Sequence, residues 1–272
     1  MQNSNETIQT KIWQDEAEND NPFAAKRCIC SGYDVYGDLL GKISWIEYLY
    51  LLYTLEPPTP KQSELLEGIA IVLANPGPRD HSVRAAMLGG VGGSHSAASL
   101  IAALSVGAGQ LGGAREVFLA MEYWQQCECS LSAWHEIITQ PPKPARVDVW
   151  PEMEHTPGFD PHGASCPTPI KQSLDHLTSH TSGKTLLWLN KHREELERVA
   201  NMPLALTGVI AAAFIDLDLA PEQGEMLYLL LRLPGAGAHA LEQRHHGWRK
   251  YPFFKDAIVL TDDPGPISTD NI

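Results

Sequence analysis

Apolar residues recur at helical spacing along most of the chain. Five of them between residues 65 and 73 fall on one helical face, namely Leu65, Leu66, Ile69, Val72 and Leu73. The Pro-Gly-Pro run at residues 76–78 would end that helix. The same spacing recurs at residues 46–53, after the N-cap residue Ser44, and at 209–217 and 226–233, the last of which precedes Pro234. Alternating, strand-like segments with hairpin turns are nearly absent, so the pattern predicts an all-α fold.

A proline-rich segment divides this helical pattern. Residues 140–169 contain eight prolines, which excludes a regular helix there. Irregular segments of this length inside a folded chain often carry function. We therefore expect a small domain at residues 117–199, including the proline-rich loop, and a large helical domain built from residues 22–116 and 200–261.

Composition and charge narrow the class of protein. The chain has 272 residues, of which 43% are hydrophobic and 19% charged, as in folded globular proteins. Lys and Arg total 20 against 33 Asp and Glu, and the net charge of -13 argues against nucleic acid as a partner. No apolar run is long enough to span a membrane, and the polar residues 1–21 do not look like a signal peptide. We expect a cytoplasmic protein with unstructured tails at residues 1–21 and 262–272.

The five cysteines and eleven histidines do not form a recognisable metal-binding pattern. Cys28 and Cys30, like Cys127 and Cys129, are separated by one residue, whereas a zinc knuckle has two. A site of four thiolates from these two pairs and free thiols in a reducing cytosol both remain open, with Cys166 left over. No HExxH or similar spacing links the histidines, so no metal is predicted.

Two further segments suggest ligand binding and also have a plain structural interpretation. Residues 107–112 match the GxGxxG pattern, but the preceding residues 100–106 are rich in Ala and Ser, which favours a tightly packed helix over the strand of a dinucleotide fold. The run from Arg244 to Lys255 concentrates positive charge in an acidic protein. It is either a site for a carboxylate or phosphate or a solvated helix end.

Six segments match the motifs of one family in chain order. Early segments are residues 32–42 (GYDVYGDLLGK), similar to GYD-x-x-GDLLGK, and 51–59 (LLYTLEPPT), similar to LL-x-x-G-x-x-PT. Central segments are 109–114 (GQLGGA), similar to a glycine-rich HGGA run, and 156–162 (TPGFDPH), similar to PGFGH. The late segments are 232–243 (RLPGAGAHALEQ), similar to R-x-x-G-x-x-AH-x-x-E, and 249–252 (RKYP), similar to a basic-Pro run. Together they resemble the citrate synthase superfamily, and most closely its citryl-CoA lyase branch.

This resemblance implies a helical homodimer with a large and a small domain that closes over an acyl-CoA. The implied ligands are a coenzyme A thioester and a citrate-like carboxylate. The implied chemistry is a Claisen-type carbon–carbon cleavage or formation. In such a reaction a carboxylate moves a proton at the acyl carbon, histidines stabilise enolate and carbonyl oxygens, and arginines hold substrate carboxylates in a bidentate way.

The resemblance also assigns candidate residues, except that Asp160 is nominated because it lies in the altered PGFDPH segment. The catalytic candidates are His81, Asp160 and His162. The substrate-binding candidates are Arg232, His239 and Arg249. The candidates for contact with coenzyme A are Gly109, Gly112, Gly113 and Ala114.

Two positions depart from the family pattern. Leu111 stands where the histidine of HGGA is expected, and Thr207, in the segment 202–208 (MPLALTG), stands where the catalytic aspartate belongs. A threonine hydroxyl cannot serve as a carboxylate-like base near neutral pH, so Asp160 is the nominated replacement. One hypothesis is a citryl-CoA lyase-like or citrate synthase-like enzyme with rearranged catalytic groups. The alternative is a catalytically disabled paralogue that binds coenzyme A or a carboxylate, or pairs with an active subunit.

Overall fold

The computed structural model describes residues 9–142 and 153–250, and most of these residues are helical. The helices are α1 Trp45–Thr54, α2 Pro60–Ala74, α3 His81–Val91, α4 Ser96–Gly107, α5 Ala114–Cys127, α6 Leu131–Thr139, α7 Thr168–His180, α8 Thr185–Ala200, α9 Leu206–Asp216 and α10 Pro221–His246. A π-helical turn at Val35–Leu39 precedes α1, and a short 3-10 turn at Trp248–Lys250 follows α10. The all-α prediction is thereby confirmed for the body of the chain.

The strands β1 Gln14–Ala17, β2 Ala25–Cys30 and β3 Tyr33–Asp34 form a small antiparallel sheet in the order β1-β2-β3. The sequence did not predict this sheet, and β1 lies inside the expected N-terminal tail. The strands are short, and β1 is almost entirely exposed. Because β1 has no buried face, its sequence lacks the alternation of apolar and polar residues that would have predicted a strand. Arg27 ties them together through ion pairs with Glu16 at 3.3 Å and Asp34 at 3.0 Å.

Local sequence signals account for several helix ends. Ser44 caps α1 and forms a capping box with Glu47, as its position predicted. Helix α2 ends at Ala74, before the Pro-Gly-Pro run, and α4 ends at Gly107. Since residues 100–106 are helical, and no parallel sheet occurs in the part of the chain that the structure describes, the dinucleotide-fold interpretation is excluded.

Helix α10 extends well beyond the predicted apolar run at residues 226–233, because it continues through Pro234. Proline removes one backbone hydrogen bond from a helix, and close packing of the residues that follow Pro234 compensates for this loss. After the proline, Gly235 lies against the end of α2, where an added Cβ would overlap the Ala74 carbonyl oxygen. Further along, Ala240 packs so closely on α3 that a Cβ on Gly90 would overlap its carbonyl oxygen.

The main hydrophobic core surrounds α9. Every residue of this helix from Thr207 to Phe214 is buried, and α5, α8 and α10 supply much of the surrounding apolar surface. A smaller cluster joins α3, α4 and α10 through small side chains, namely Val83, Ala86, Ala103, Ala236 and Ala240. Because the main core includes residues of both expected domains, it holds the two parts together, and the division between them stays a prediction.

Three absences hold within residues 9–142 and 153–250. No helix there is long and apolar enough to cross a membrane. No group of three or more His, Cys, Asp or Glu side chains is arranged to hold a metal ion. All five cysteines, which fall within these residues, are free thiols.

Candidate functional site

Three chain segments converge beside the N-termini of α5 and α9. The first is the glycine-rich turn before α5, the second is the loop at residues 155–160, and the third is the start of α9. Backbone contacts join the last two, since Ala205 N donates to Gly158 O at 2.9 Å and Asp160 N donates to Pro203 O at 2.9 Å. Gly158 has a φ of +87° and lies against Gly208, whose Cα would be 2.9 Å from an added Cβ. This close approach requires glycine.

The carboxylate of Glu116 lies where these segments meet. It belongs to the first turn of α5 and is 1% exposed. Its Oε2 accepts from Gly112 N at 2.6 Å, and its Oε1 accepts from Gly158 N at 3.0 Å and from Thr207 Oγ1 at 2.7 Å. A buried carboxylate is costly unless donors replace water, and here each of the three segments supplies one. The positive ends of the α5 and α9 dipoles favour the negative charge at this place as well.

His155 faces the same carboxylate without a hydrogen bond to it. Its Nε2 lies 3.6 Å from Glu116 Oε1, and its side chain is 6% exposed. This nitrogen is buried and has no hydrogen-bond partner in the described structure. A buried imidazole nitrogen without a partner is uncommon in folded proteins, and it marks a place next to Glu116 that a ligand oxygen would satisfy.

Arg232 reaches the same site from α10 and is 5% exposed. Its Nη1 donates to Gly112 O at 3.0 Å, and its Nη2 pairs with the carboxylate of Asp80. The guanidinium carbon lies 4.8 Å from the ring centroid of Tyr228, whose hydroxyl donates to Gly112 O at 2.9 Å. Burial raises the pKa of Tyr228 to about 12, so this hydroxyl keeps its proton at physiological pH.

Gly112 therefore connects a buried anion to a buried cation. Its N–H donates to Glu116, and its carbonyl oxygen accepts from Tyr228 and Arg232. Its φ of +66° lets both groups of one residue point to these partners. Of the predicted coenzyme A contacts, Gly113 is the N-cap residue of α5, which has no side-chain cap.

Other predicted residues lie nearer the surface. His81 is the first residue of α3 and is exposed, next to Asp80, which caps that helix through Ser82 N and Val83 N. His162 is exposed, and its backbone N–H donates to Asp160 Oδ1 at 2.9 Å. The nominated base Asp160 thus already accepts a backbone hydrogen bond.

The last two predicted contacts lie on and after α10. His239 has its Nε2 at 3.1 Å from Asn75 Oδ1 and its Nδ1 at 3.5 Å from Glu242 Oε2. Arg249 is exposed, with its guanidinium carbon 5.1 Å from the ring centroid of Trp248. Of the predicted residues, Gly112 and Arg232 therefore lie around Glu116. His239 and Arg249 contact other residues, namely Asn75 and Glu242 for His239 and Trp248 for Arg249.

Sequence reasoning missed Glu116, His155, Asp80 and Tyr228. For Glu116 a signal was available, because it lies between Ala114 and Val117 on the apolar face of α5. A glutamate is rarely fully buried without partners, so its place on that face pointed to a polar site inside the fold. His155 lies in the proline-rich segment, where no periodic pattern indicates which side chains turn inward.

Comparison with known proteins identifies the fold. No family sequence model matches the chain, and no curated protein matches it in sequence. Among solved structures, citryl-CoA lyase from Hydrogenobacter thermophilus is similar over 95% of this chain and 96% of its own, with a TM-score of 0.74 and 20% identity. ATP citrate lyase from Methanothrix soehngenii, solved with citrate and coenzyme A, is similar over 94% of this chain and 42% of its own, with a TM-score of 0.73 and 17% identity.

A third structure is a mutant of ATP citrate lyase from Methanosaeta concilii in complex with (3S)-citryl-CoA. It is similar over 94% of this chain and 42% of its own, with a TM-score of 0.72 and 17% identity. The chain spans less than half of each ATP citrate lyase and nearly all of the citryl-CoA lyase. Its fold is therefore the citrate synthase-like helical fold seen in citryl-CoA lyase, as the motif resemblance predicted.

The Glu116→Gln variant tests the buried carboxylate. Whichever way the amide is turned, its NH2 group faces at least one donor that the carboxylate accepts, so we expect a loss of about 2 kcal/mol in unfolding free energy. Urea unfolding followed by circular dichroism measures it.

Glu122→Gln, on the same helix, is the matched control. Burial raises the pKa of Glu122, and Glu222 adds to this shift while Arg115 opposes it, so its charge is not stabilised there. We expect a change within about 0.5 kcal/mol. Equal effects of the two substitutions would show that Glu116 is an ordinary helix residue.

Proposed function

We propose that this protein breaks or forms a carbon–carbon bond in a coenzyme A thioester of a citrate-like hydroxy acid, as a citryl-CoA lyase-like enzyme. One observation carries the proposal. The segments around Gly112, Gly158 and Thr207, which resemble three family motifs, converge on the single carboxylate of Glu116. This buried polar centre includes Thr207, the position at which the resemblance expects the catalytic aspartate.

The reaction needs a cationic group for the polycarboxylate and a site for proton transfer. Arg232 is a buried cation beside this centre, since Gly112 is hydrogen-bonded to both Arg232 and Glu116. Solved structures of the same fold contain citrate, coenzyme A and citryl-CoA, which supports the choice of ligands. His81, Asp160 and His162 remain the proposed catalytic residues, and they lie nearer the surface than Glu116.

A second candidate, binding of a thioester without turnover, has its own support. Arg232 is already paired with Asp80, and Thr207 replaces the aspartate that the resemblance expects. A cation satisfied by an internal carboxylate binds an external one less strongly, since the two compete for the same donors. The enzyme and the binding protein are both expected to bind the thioester, and only the enzyme is expected to convert it.

Turnover is tested with citryl-CoA, and in the reverse direction with acetyl-CoA plus oxaloacetate, by following free thiol. We expect thiol release by the wild type and a decrease of about 10²-fold or more in Arg232→Met, which removes the charge and keeps most of the volume. Arg198→Met, at an exposed position of α8, should keep wild-type turnover.

Calorimetry with coenzyme A and citrate completes this test. Binding without thiol release in either direction would favour the second candidate. No binding and no release would contradict the proposal itself.

We also propose that the protein is a homodimer whose contact includes α4. This helix has no charged residue from Ser96 to Gly107, yet Ile101 is 61% exposed and Val106 45%. Leu88 of the adjoining α3 is 56% exposed. Exposed apolar side chains on a helix without charged residues are characteristic of an interface.

Light scattering after size exclusion tests the dimer. We expect a mass of twice the 29.9 kDa of one chain for the wild type and a shift to the monomer in Ile101→Lys, because burying an unpaired ammonium in the contact is costly. Ile71→Lys, at a position 71% exposed on α2, is the matched control and should stay dimeric. A wild-type mass of one chain would rule the dimer out.

A further inference from the structure

Thr207 is the second residue of α9, and its side chain is buried with its hydroxyl directed at a carboxylate. The residue is 2% exposed, and Oγ1 donates to Glu116 Oε1 at 2.7 Å. A hydroxyl whose proton points at an acceptor has its lone pairs turned away from that acceptor. Thr207 can therefore take up a proton on one side while it releases its own on the other.

Glu116 itself is poorly placed to touch a substrate. Its Oε2 accepts from Gly112, its Oε1 accepts from Gly158 and Thr207, and the residue is 1% exposed. Of these three donors, two are fixed backbone N–H groups, and the third is a hydroxyl that can pass a proton. Among its hydrogen-bond donors, the one through which this carboxylate can act on a ligand is therefore the Thr207 hydroxyl.

We propose that Thr207 and Glu116 form a proton relay that serves as the base of this site. In the enolisation step the C–H bond of the acyl methyl group breaks, and its proton bonds to Thr207 Oγ1. The Thr207 O–H bond breaks at the same time, and that proton bonds to Glu116 Oε1. The electron pair of the C–H bond remains on the thioester as an enolate. The reverse transfers return the proton when the carbon–carbon bond is cleaved.

His155 supplies the second observation that points to a ligand here. Its unpartnered Nε2 faces the oxygen that accepts from Thr207, at 3.6 Å. With its proton on Nε2, the imidazole would donate to the oxygen of a thioester placed beside Thr207, where negative charge develops. The loop carrying Gly158 helps to bury Thr207 and Glu116. This loop must therefore move away from them before a thioester can reach Thr207.

The relay deepens the proposed function and rests on it. It explains how a chain with threonine at the aspartate position keeps a base, since the negative charge lies at Glu116 instead. It also makes the hydroxyl of Thr207 necessary, whereas a purely structural threonine would be replaceable by valine of the same shape with little effect on chemistry.

Exchange of the methyl protons of acetyl-CoA for deuterium, followed by NMR in D2O, measures the relay directly. Malate, which lacks the ketone that would accept the carbanion, is added as the second ligand. We expect exchange by the wild type, a rate within about tenfold of it in Thr207→Ser, and a loss of about 10²-fold or more in Thr207→Val and Glu116→Gln. Affinity for acetyl-CoA, measured by calorimetry, should change only a few-fold in Thr207→Val.

Thr185→Val is the matched control, because Thr185 is a buried threonine at the start of α8, and its exchange rate should equal the wild-type rate. If Glu116→Gln fails to fold, the pair Thr207→Val and Thr207→Ser still decides the question. Undiminished exchange in Thr207→Val overturns the relay. Acetyl-CoA binding without exchange in the wild type also overturns it and leaves a binding function, whereas absence of binding overturns the proposed function too.

Discussion

A buried carboxylate organises the centre of this protein. Glu116 brings a negative charge into the interior, and within the described residues the one basic side chain within ion-pair distance of it is His155, at 3.6 Å from its nearer oxygen. Transfer of such a group from water costs several kcal/mol unless hydrogen bonds replace its hydration. The donors come from Gly112, Gly158 and Thr207, so satisfying this one group fixes the relative positions of three segments.

The same constraint couples the carboxylate to the cationic side of the site. Gly112 donates to Glu116 and accepts from Arg232, and Arg232 pairs with Asp80 at the start of α3. One residue thus links α5 to α10, and the ion pair links α10 to α3. If the glycine-rich turn moved, Glu116 would lose the hydrogen bond from Gly112 N and Arg232 would lose its hydrogen bond to Gly112 O. Both charges are buried, so the loss of either hydrogen bond would be costly.

The sequence predicted what depends on local spacing and missed what depends on distant contacts. Ser44 and the apolar periodicity located helix starts and faces, because capping and burial act within a few residues. The continuation of α10 through Pro234 was not predictable, because it depends on packing of Gly235 on α2, which outweighs the local effect of proline. Glu116 and Thr207 lie 91 positions apart, and no local pattern reveals that one accepts the other's hydrogen bond.

The coupling free energy between Glu116 and Thr207 tests the central claim most directly. It is obtained from the unfolding free energies of the wild type, Glu116→Gln, Thr207→Val and the double variant. If the hydroxyl and the carboxylate form one buried unit, the two substitutions should be non-additive by about 1.5 kcal/mol or more. Additivity within about 0.5 kcal/mol would show that the two side chains act independently and would contradict this account.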